Sequence, residues 1–151
     1  MKCIGTASPL MLRNPDATRP WQHVLDPLSG YLLLAEKMFF EPINYSCSMN
    51  FGPLISDVLS VKEVVQIFAR YYGTEVICQD EPGLYYEAKD LSLDCTAAYS
   101  RISWTPTWNA HEAIKRTAEW YQLSNAGKDL KQIIANQINA FREDASKTRS
   151  F

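Results

Sequence analysis

One short segment, residues 18–24, gathers side chains that could bind a charged ligand. Its sequence is TRPWQHV, in which an arginine is followed directly by a proline and then by a tryptophan and a histidine. The guanidinium of Arg19 matches phosphate oxygens, with which it can form two parallel hydrogen bonds. Pro20 stiffens the adjacent backbone and lowers the entropy lost when that side chain is oriented. Arg19 is therefore a candidate phosphate ligand, and the ring of Trp21 could cover an apolar group beside it.

Each of these side chains also has a structural interpretation that the sequence leaves open. Arg19 could be a surface residue paired with Asp16 or Asp26. For Trp21, a buried position in the core is the commoner fate of a tryptophan. His23 has no serine, cysteine or carboxylate at a spacing that indicates a triad, so we interpret it as a hydrogen-bonded structural histidine rather than a base. No catalytic residue is assigned from these types and spacings.

The cysteines and histidines do not indicate a metal site. Cysteines stand at positions 3, 47, 78 and 95, none in a CxxC pair, and the histidines are His23 and His111. A structural zinc site requires closely spaced thiolates or imidazoles. We therefore predict no metal site, and reduced thiols as in a cytoplasmic protein.

The composition limits the class of protein. A chain of 151 residues with 46% apolar and 21% charged residues suits one globular domain. The net charge of -2 and the lack of like-charged blocks argue against nucleic-acid binding. Apolar runs such as YLLLA are far shorter than the ~20 residues of a membrane span, and the N-terminus lacks the apolar core of a signal peptide. We predict a cytoplasmic location, with neither a nucleic acid nor a membrane as partner.

The elements that must position the segment are predicted from spacing and capping signals. They form an α/β chain of mixed α+β type, with about four helices and short strands between them. We predict helices after a cap at Asp26, ending near Phe40; after a Ser60–Glu63 capping box; after a cap at Asn109; and over 128–143.

Strands and irregular segments complete this prediction. Gly30 either weakens the first helix or permits close approach of another chain segment or a ligand. The tail over 144–151 is predicted to be polar and frayed. Strands are predicted at 9–14, 45–53 and 74–79, and residues 85–94 are predicted to be extended.

Five stretches of the sequence resemble one enzyme family. The chain is similar to the carboxy-terminal, substrate-side half of CDP-glucose 4,6-dehydratases, which are extended short-chain dehydrogenases/reductases of the NAD-dependent epimerase/dehydratase type. The similarity covers about residues 12–142, and it divides the chain into an unmatched segment 1–9, a nucleotide-sugar-binding domain 10–143 and a tail 144–151. The stretches are RNPDATRPWQHVLDPLSGYLLLAEK, MNFGP, SVKEVV, LSLDCTAAYSRISWTPTWNAHEAIKRTAEWY and LKQIIANQINAF.

The resemblance implies roles for five residues. Arg19 corresponds to an arginine that contacts the diphosphate of the substrate. Trp21 and His23, which we also predict as substrate-binding residues, would mostly shape that segment, with His23 near the nucleotide. Tyr86 and Glu87 correspond to the first two positions of a His-Glu-Ala triplet near the substrate pocket. The histidine of the triplet is Tyr86 in this chain, so that part of the site departs from the family pattern.

A second departure lies at a predicted turn. Ser103 stands where the family has glycine before Trp104. Because glycine at such a turn commonly permits positive φ, we expect a strained or rebuilt turn at this position.

The cofactor and catalytic motifs that the resemblance implies are not found in the sequence. The complete enzymes bind NAD at a glycine-rich turn and use a Tyr-x-x-x-Lys pair, but the six glycines are scattered. Tyr85 and Lys89 have the right spacing, yet in an extended segment they would lie about 13 Å apart, so we reject this pair. We predict that this chain itself binds no cofactor, and its enzymatic activity stays undecided.

The resemblance predicts the substrate-binding portion of a lyase of polysaccharide biosynthesis. The complete enzyme would convert CDP-glucose to CDP-4-dehydro-6-deoxyglucose and water, and this chain alone would be inactive. The alternatives are a stand-alone nucleotide-sugar-binding module and a structural or oligomerisation module. Expected partners are a CDP-glucose-like ligand and either a separate Rossmann half or a second copy of the chain. Without a cofactor half, an apolar surface should be exposed.

Overall fold

The secondary structure is mainly helical, with two short strand pairs. The computed structural model describes residues 10–80 and 88–148. It confirms the mixed α and β class, with no complete Rossmann sheet among the described residues. The strands are β1 (Leu10–Leu12), β2 (Thr18–Arg19), β3 (Leu59–Ser60) and β4 (Cys78–Asp80), and the helices are α1 (Leu25–Phe40), α2 (Pro42–Tyr45), α3 (Val61–Tyr72), α4 (Thr96–Ile102), α5 (Ala110–Asn125) and α6 (Leu130–Thr148).

The strand pairs bring distant parts of the chain together. β1 runs parallel to β4, and β2 runs antiparallel to β3, with Arg19 opposite Leu59. On the other side of β2, the Thr18 N–H donates to the Lys89 carbonyl at 2.9 Å, and the Leu91 N–H donates to the Thr18 carbonyl at 3.3 Å. β2 is thus held between β3 and residues 88–91.

Capping signals predicted two helix starts correctly. At α3, the Ser60 hydroxyl accepts from the Glu63 N–H, and the Glu63 carboxylate accepts from the Ser60 N–H. Gly73 ends this helix in the left-handed region at φ 75°. At α5, the Asn109 side chain accepts from the Glu112 N–H at 2.8 Å. Hydrogen bonds between residues close in sequence fix these helix termini, so the sequence alone predicts where the two helices begin.

The predicted cap of α1 is wrong. The helix begins at Leu25 with Val24 as its N-cap, so Asp26 lies within the first turn. Its side chain bonds to the backbone of Thr107, 81 residues away, and is therefore not available to cap its own helix.

The predicted strands are realised only in part. Of the strand predicted at 9–14, residues 10–12 form β1. Of the strand predicted at 74–79, only residues 78 and 79 lie in a strand, which is β4. The strand predicted over 45–53 is wrong, because residue 45 ends α2 and no described strand lies beside residues 46–53. Of the predicted extended segment 85–94, residues 85–87 lie outside the described part.

The predicted frayed tail is also wrong for residues 144–148, which belong to α6. The Trp108 indole N–H donates to the Asp144 carboxylate at 3.0 Å. This bond ties the last turns of α6 to Trp108, and it lowers the pKa of the Asp144 carboxyl. Among the described residues, no helix combines the length and apolarity needed to span a bilayer.

The core consists of two clusters of buried side chains. In the first, Leu33 and Leu34 of α1 pack against Phe51 and Trp104, together with Ala98 and Ile102 of α4. The second joins α3 to α5 through three buried residues, Phe68, Ile114 and Ala118.

Gly30 permits the close approach that the sequence suggested. A Cβ atom at this position would overlap the Phe51 ring, which is itself held edge-on by Tyr31 and Trp104. We therefore predict that Gly30→Ala lowers the free energy of unfolding by about 2 kcal/mol, although alanine favours helix by about 1 kcal/mol. Ala35→Gly on the exposed side of α1 is the matched control, with a loss of about 1 kcal/mol. Urea denaturation measures both, and a stabilised Gly30→Ala variant would contradict this packing.

Ser103 adopts the positive φ that the family's glycine would provide. Its φ of 54° and ψ of 34° place it in the left-handed region at the end of α4. A side chain there costs about 1 kcal/mol. Ser103→Gly should therefore raise the free energy of unfolding by about that amount in urea denaturation, whereas Ser100→Gly within α4 should lower it by a similar amount. Equal signs for the two variants would argue against strain at Ser103.

Candidate functional site

The segment that carries the candidate residues is tied to two neighbouring elements. Around Pro20 the chain turns tightly, and the Trp21 N–H donates to the Arg19 carbonyl at 2.9 Å. The Trp21 indole N–H donates to the backbone carbonyl of Leu59 in β3, also at 2.9 Å. The Gln22 amide donates to the carbonyl of Phe51 at 2.9 Å. These bonds fix the direction of the chain between β2 and α1.

His23 is placed in the core, which favours its structural interpretation. It is 6% exposed, and its ring contacts Trp108 edge-on with centroids 4.9 Å apart. Its Nδ1 accepts from the Leu25 N–H at 3.3 Å. Burial lowers the pKa of His23, and the Arg116 charge lowers it further, while a hydrogen bond to Gln137 opposes both. The imidazole is therefore neutral at pH 7 and joins the start of α1 to the region before α5.

Arg19 lies in β2, between Leu59 of β3 and residues 88–91. It is half-buried, and its Nη1 donates to the carbonyls of Thr18 at 2.7 Å and of Lys89 at 3.3 Å. Backbone carbonyls on two segments thus orient its guanidinium. Lys89 also lines a small cavity of about 220 Å³ with residues 14–17.

The helix N-termini are occupied by acidic side chains of the protein itself. A free helix N-terminus is a common phosphate site, because its N–H groups and dipole favour an anion. In the described part of the chain, each helix longer than one turn already has a carboxylate there or just before it. These residues are Asp26 for α1, Glu63 for α3, Asp94 for α4, Glu112 for α5 and Asp129 for α6. An anion at any of these N-termini would therefore meet a like charge.

Two predicted site residues, Tyr86 and Glu87, lie outside the described residues, as does Tyr85 of the rejected Tyr-x-x-x-Lys pair. Lys89, which follows Glu87 by two positions, is described and contacts Arg19 through its carbonyl. The roles of Tyr86 and Glu87 stay predictions.

The buried carboxylate of Asp26 makes a tertiary contact that the sequence did not predict. Asp26 is completely buried, and its Oδ1 accepts from the Thr107 N–H at 2.6 Å, while Oδ2 has no hydrogen-bond partner among the described residues. Burial raises the pKa of this carboxyl to about 6, although hydrogen bonds from the backbone of Thr107 and Trp108 oppose that rise. One signal was available, since Asp26 precedes the buried Gly30 by four residues and shares its helix face.

Comparison with solved structures defines the class of fold. The chain superposes on a UDP-glucuronic acid 4-epimerase from Bacillus cereus (TM-score 0.61, 16% identity, 79% of this chain and 36% of that one). It likewise matches a dTDP-glucose 4,6-dehydratase from Bacillus anthracis (0.62, 16%, 83% and 37%) and a UDP-glucose 4-epimerase from Stenotrophomonas maltophila (0.63, 19%, 78% and 36%). No protein-family model matches the chain. Its fold is that of one part of the extended short-chain dehydrogenases/reductases that include epimerases and dehydratases.

Sequence comparison identifies one relative within this class. The chain is 34% identical over 133 residues, or 87% of its length, to the CDP-glucose 4,6-dehydratase of Salmonella typhimurium strain LT2. It spans 37% of the length of that relative. The predicted resemblance to CDP-glucose 4,6-dehydratases is confirmed.

The buried Asp26 carboxyl predicts a pH dependence of stability. Its pKa is raised in the folded protein from 3.8 to about 6, so the folded state prefers the protonated form. The free energy of unfolding should therefore gain a contribution as pH falls from above 6 towards 4, by at most about 3 kcal/mol. Asp26→Asn keeps an acceptor for Thr107 and should remove this contribution.

Denaturation of both proteins at pH 4.5 and pH 7 measures the effect. His23 titrates in both proteins, so its contribution cancels in the comparison. Identical pH slopes for the two proteins would show that Asp26 is not buried as described.

Proposed function

We propose that this chain is the nucleotide-sugar-binding portion of a CDP-glucose 4,6-dehydratase-like enzyme. The complete enzyme would convert CDP-glucose to CDP-4-dehydro-6-deoxyglucose and water. Sequence similarity to a CDP-glucose 4,6-dehydratase and structural similarity to enzymes named for nucleotide sugars support this proposal.

The observation that carries the proposal is the environment of Arg19. A diphosphate at the N-termini of α1, α3 and α5 would meet an acidic side chain in the first turn, whereas the guanidinium of Arg19 matches its charge. Arg19 is held by the carbonyls of Thr18 and Lys89. Binding a diphosphate would therefore require little reordering of this side chain, which limits the entropy lost.

The neighbouring residues take supporting roles in this proposal. Trp21 and His23 hold the segment that carries Arg19, through Leu59 and Trp108 respectively. Tyr86 and Glu87 precede Lys89 in the sequence, and we propose them as contacts to the substrate beyond the diphosphate.

The described residues do not fit NAD. A dinucleotide needs a glycine-rich turn and a helix N-terminus open to its pyrophosphate, whereas the first turn of α1 holds the buried Asp26 carboxylate. We therefore assign the hydride chemistry to the rest of the enzyme and none of its steps to this chain. On this proposal the chain alone is catalytically inactive.

We also include a cytoplasmic location in the proposal. Three cysteines, Cys47, Cys78 and Cys95, are unpaired in the structure, as expected for a reducing compartment.

Calorimetric titration of the 151-residue chain with CDP-glucose tests the proposal. We expect saturable binding, and Arg19→Ala should weaken it by about 2–3 kcal/mol, the usual value of hydrogen bonds to a charged group. Arg13→Ala, at an exposed arginine six residues earlier, is the matched control and should leave the affinity unchanged.

Titration with CMP separates the diphosphate contact from recognition of the base, since CMP carries a single phosphate. Loss of Arg19 should therefore weaken CDP-glucose binding more than CMP binding. Absence of binding by the unaltered chain, or equal affinities of the Arg19 and Arg13 variants, would refute the proposal.

A further inference from the structure

The side chain of Gln137 in α6 lies between α5 and the segment that carries Arg19. It lines a cavity of about 610 Å³ together with Gln22 and His23 of that segment. Its amide N–H donates to the backbone carbonyl of Arg116 at 2.7 Å. The amide oxygen, Oε1, is therefore the atom through which Gln137 makes its side-chain hydrogen bond to His23.

The position of the proton on the His23 ring follows from its surroundings. The ring is 6% exposed and lies near the charge of Arg116, so the imidazole is neutral and carries one ring proton. Nδ1 accepts from the Leu25 N–H at 3.3 Å, so this nitrogen carries no proton. The proton is therefore on Nε2, and the Nε2–H donates to Oε1 of Gln137.

These hydrogen bonds form a series, from Arg116 through Gln137 and His23 to Leu25, in which every donor and acceptor is determined. A backbone carbonyl can only accept, so the Arg116 carbonyl orients the amide of Gln137. The amide oxygen then selects the tautomer of His23 that has its proton on Nε2. A reversed amide would place two oxygens together at Arg116 and two N–H groups together at His23.

Helix α1 depends on this series for its first N–H group. Its N-cap residue, Val24, provides no side-chain hydrogen bond, and Asp26 bonds to Thr107 instead. The Leu25 N–H is one of the groups that a helix start leaves without an intrahelical partner, and His23 accepts from it. In the other tautomer, Nδ1–H would face this N–H, and the junction between the segment and α1 would lose its bond.

We propose that Gln137 is a positioning residue for the segment that carries Arg19. By holding one tautomer of His23, it fixes the junction between that segment and α1, and with it the direction from which Arg19 meets the diphosphate. The inference rests on the proposed function, because it identifies a residue of α6 that acts on the Arg19 contact through His23. Gln137 itself contacts no substrate in this proposal.

Nuclear magnetic resonance of the 151-residue chain tests the tautomer. The sequence has two histidines, His23 and His111, so a His111→Gln variant assigns both sets of ring signals. Two-bond ¹H–¹⁵N spectra at pH 7 should show His23 with a protonated Nε2 and an unprotonated Nδ1. A protonated Nδ1 would overturn the proposal.

Gln137→Met removes the acceptor and keeps the length of the side chain. We expect both tautomers of His23 in this variant, and exchange of the Leu25 amide hydrogen about tenfold faster, as for the loss of one hydrogen bond. Gln132→Met is the same substitution at an exposed position of α6, and it should change neither property. A single tautomer and unchanged exchange in the Gln137→Met variant would count against the proposal.

The pKa of His23 separates the hydrogen bond from a general loosening of the core. Gln137→Glu should raise this pKa, because a carboxylate beside the ring favours the imidazolium form. Gln137→Met should lower it, because the present hydrogen bond to Gln137 raises the pKa. Loosened packing would instead expose the ring and raise the pKa in both variants, so a rise in both would contradict the assignment.

Calorimetric titration with CDP-glucose measures the effect on the binding segment. Trp21 and Gln22 hold this segment at two other points. Gln137→Met should therefore weaken binding only about fivefold, the order expected for one buried hydrogen bond, and Gln132→Met should leave it unchanged. Equal affinities of these two variants would refute the positioning role.

The resonance measurements involve no nucleotide. Absence of binding by the unaltered chain refutes the proposed function, whereas an altered tautomer or pKa order refutes the hydrogen-bond series. The two failures are therefore distinguishable.

Discussion

The buried carboxylate of Asp26 is the constraint on which the arrangement of the chain depends. A carboxylate withdrawn from water is strongly destabilising unless hydrogen bonds compensate it. The compensation comes from the backbone at Thr107 and Trp108, so the first turn of α1 and the connection between α4 and α5 must lie together. That connection carries the two most buried tryptophans, Trp104 and Trp108, and they in turn contact Phe51 and His23. The contact of Asp26 with Thr107, 81 residues away, therefore helps to fix the direction of the segment that carries Arg19.

The sequence predicted those parts of the fold that local interactions determine. The four long helices were predicted, and the caps at Ser60 and Asn109 are made by residues three positions from their partners. The predicted cap at Asp26 failed, since a tertiary hydrogen bond competes for that side chain. The predicted fraying of 144–148 failed for a similar reason, because Trp108 holds Asp144 from outside the helix. Long-range partners of polar groups leave no periodic signal in the sequence.

The candidate site was predicted less completely. Arg19 was identified by its chemistry and by its setting beside Pro20, but its contacts with Lys89 depend on pairing across 70 residues. The strand predicted over 45–53 shows the opposite limitation. Its burial alternates as a strand requires, yet regular strand structure needs a neighbour, and the described chain provides none. The periodicity of apolar residues predicts which face of a segment is buried, whereas strand pairing depends on whether a neighbouring strand is present.

The main-chain bonds that hold Arg19 have a consequence for how this protein can diverge. Two of the groups that orient its guanidinium are the carbonyls of Thr18 and Lys89, and every amino acid supplies a carbonyl. Side chains at those two positions can therefore drift during evolution without disturbing the arginine. Among homologues, Arg19 can therefore stay invariant in conformation while its immediate neighbours vary in side chain.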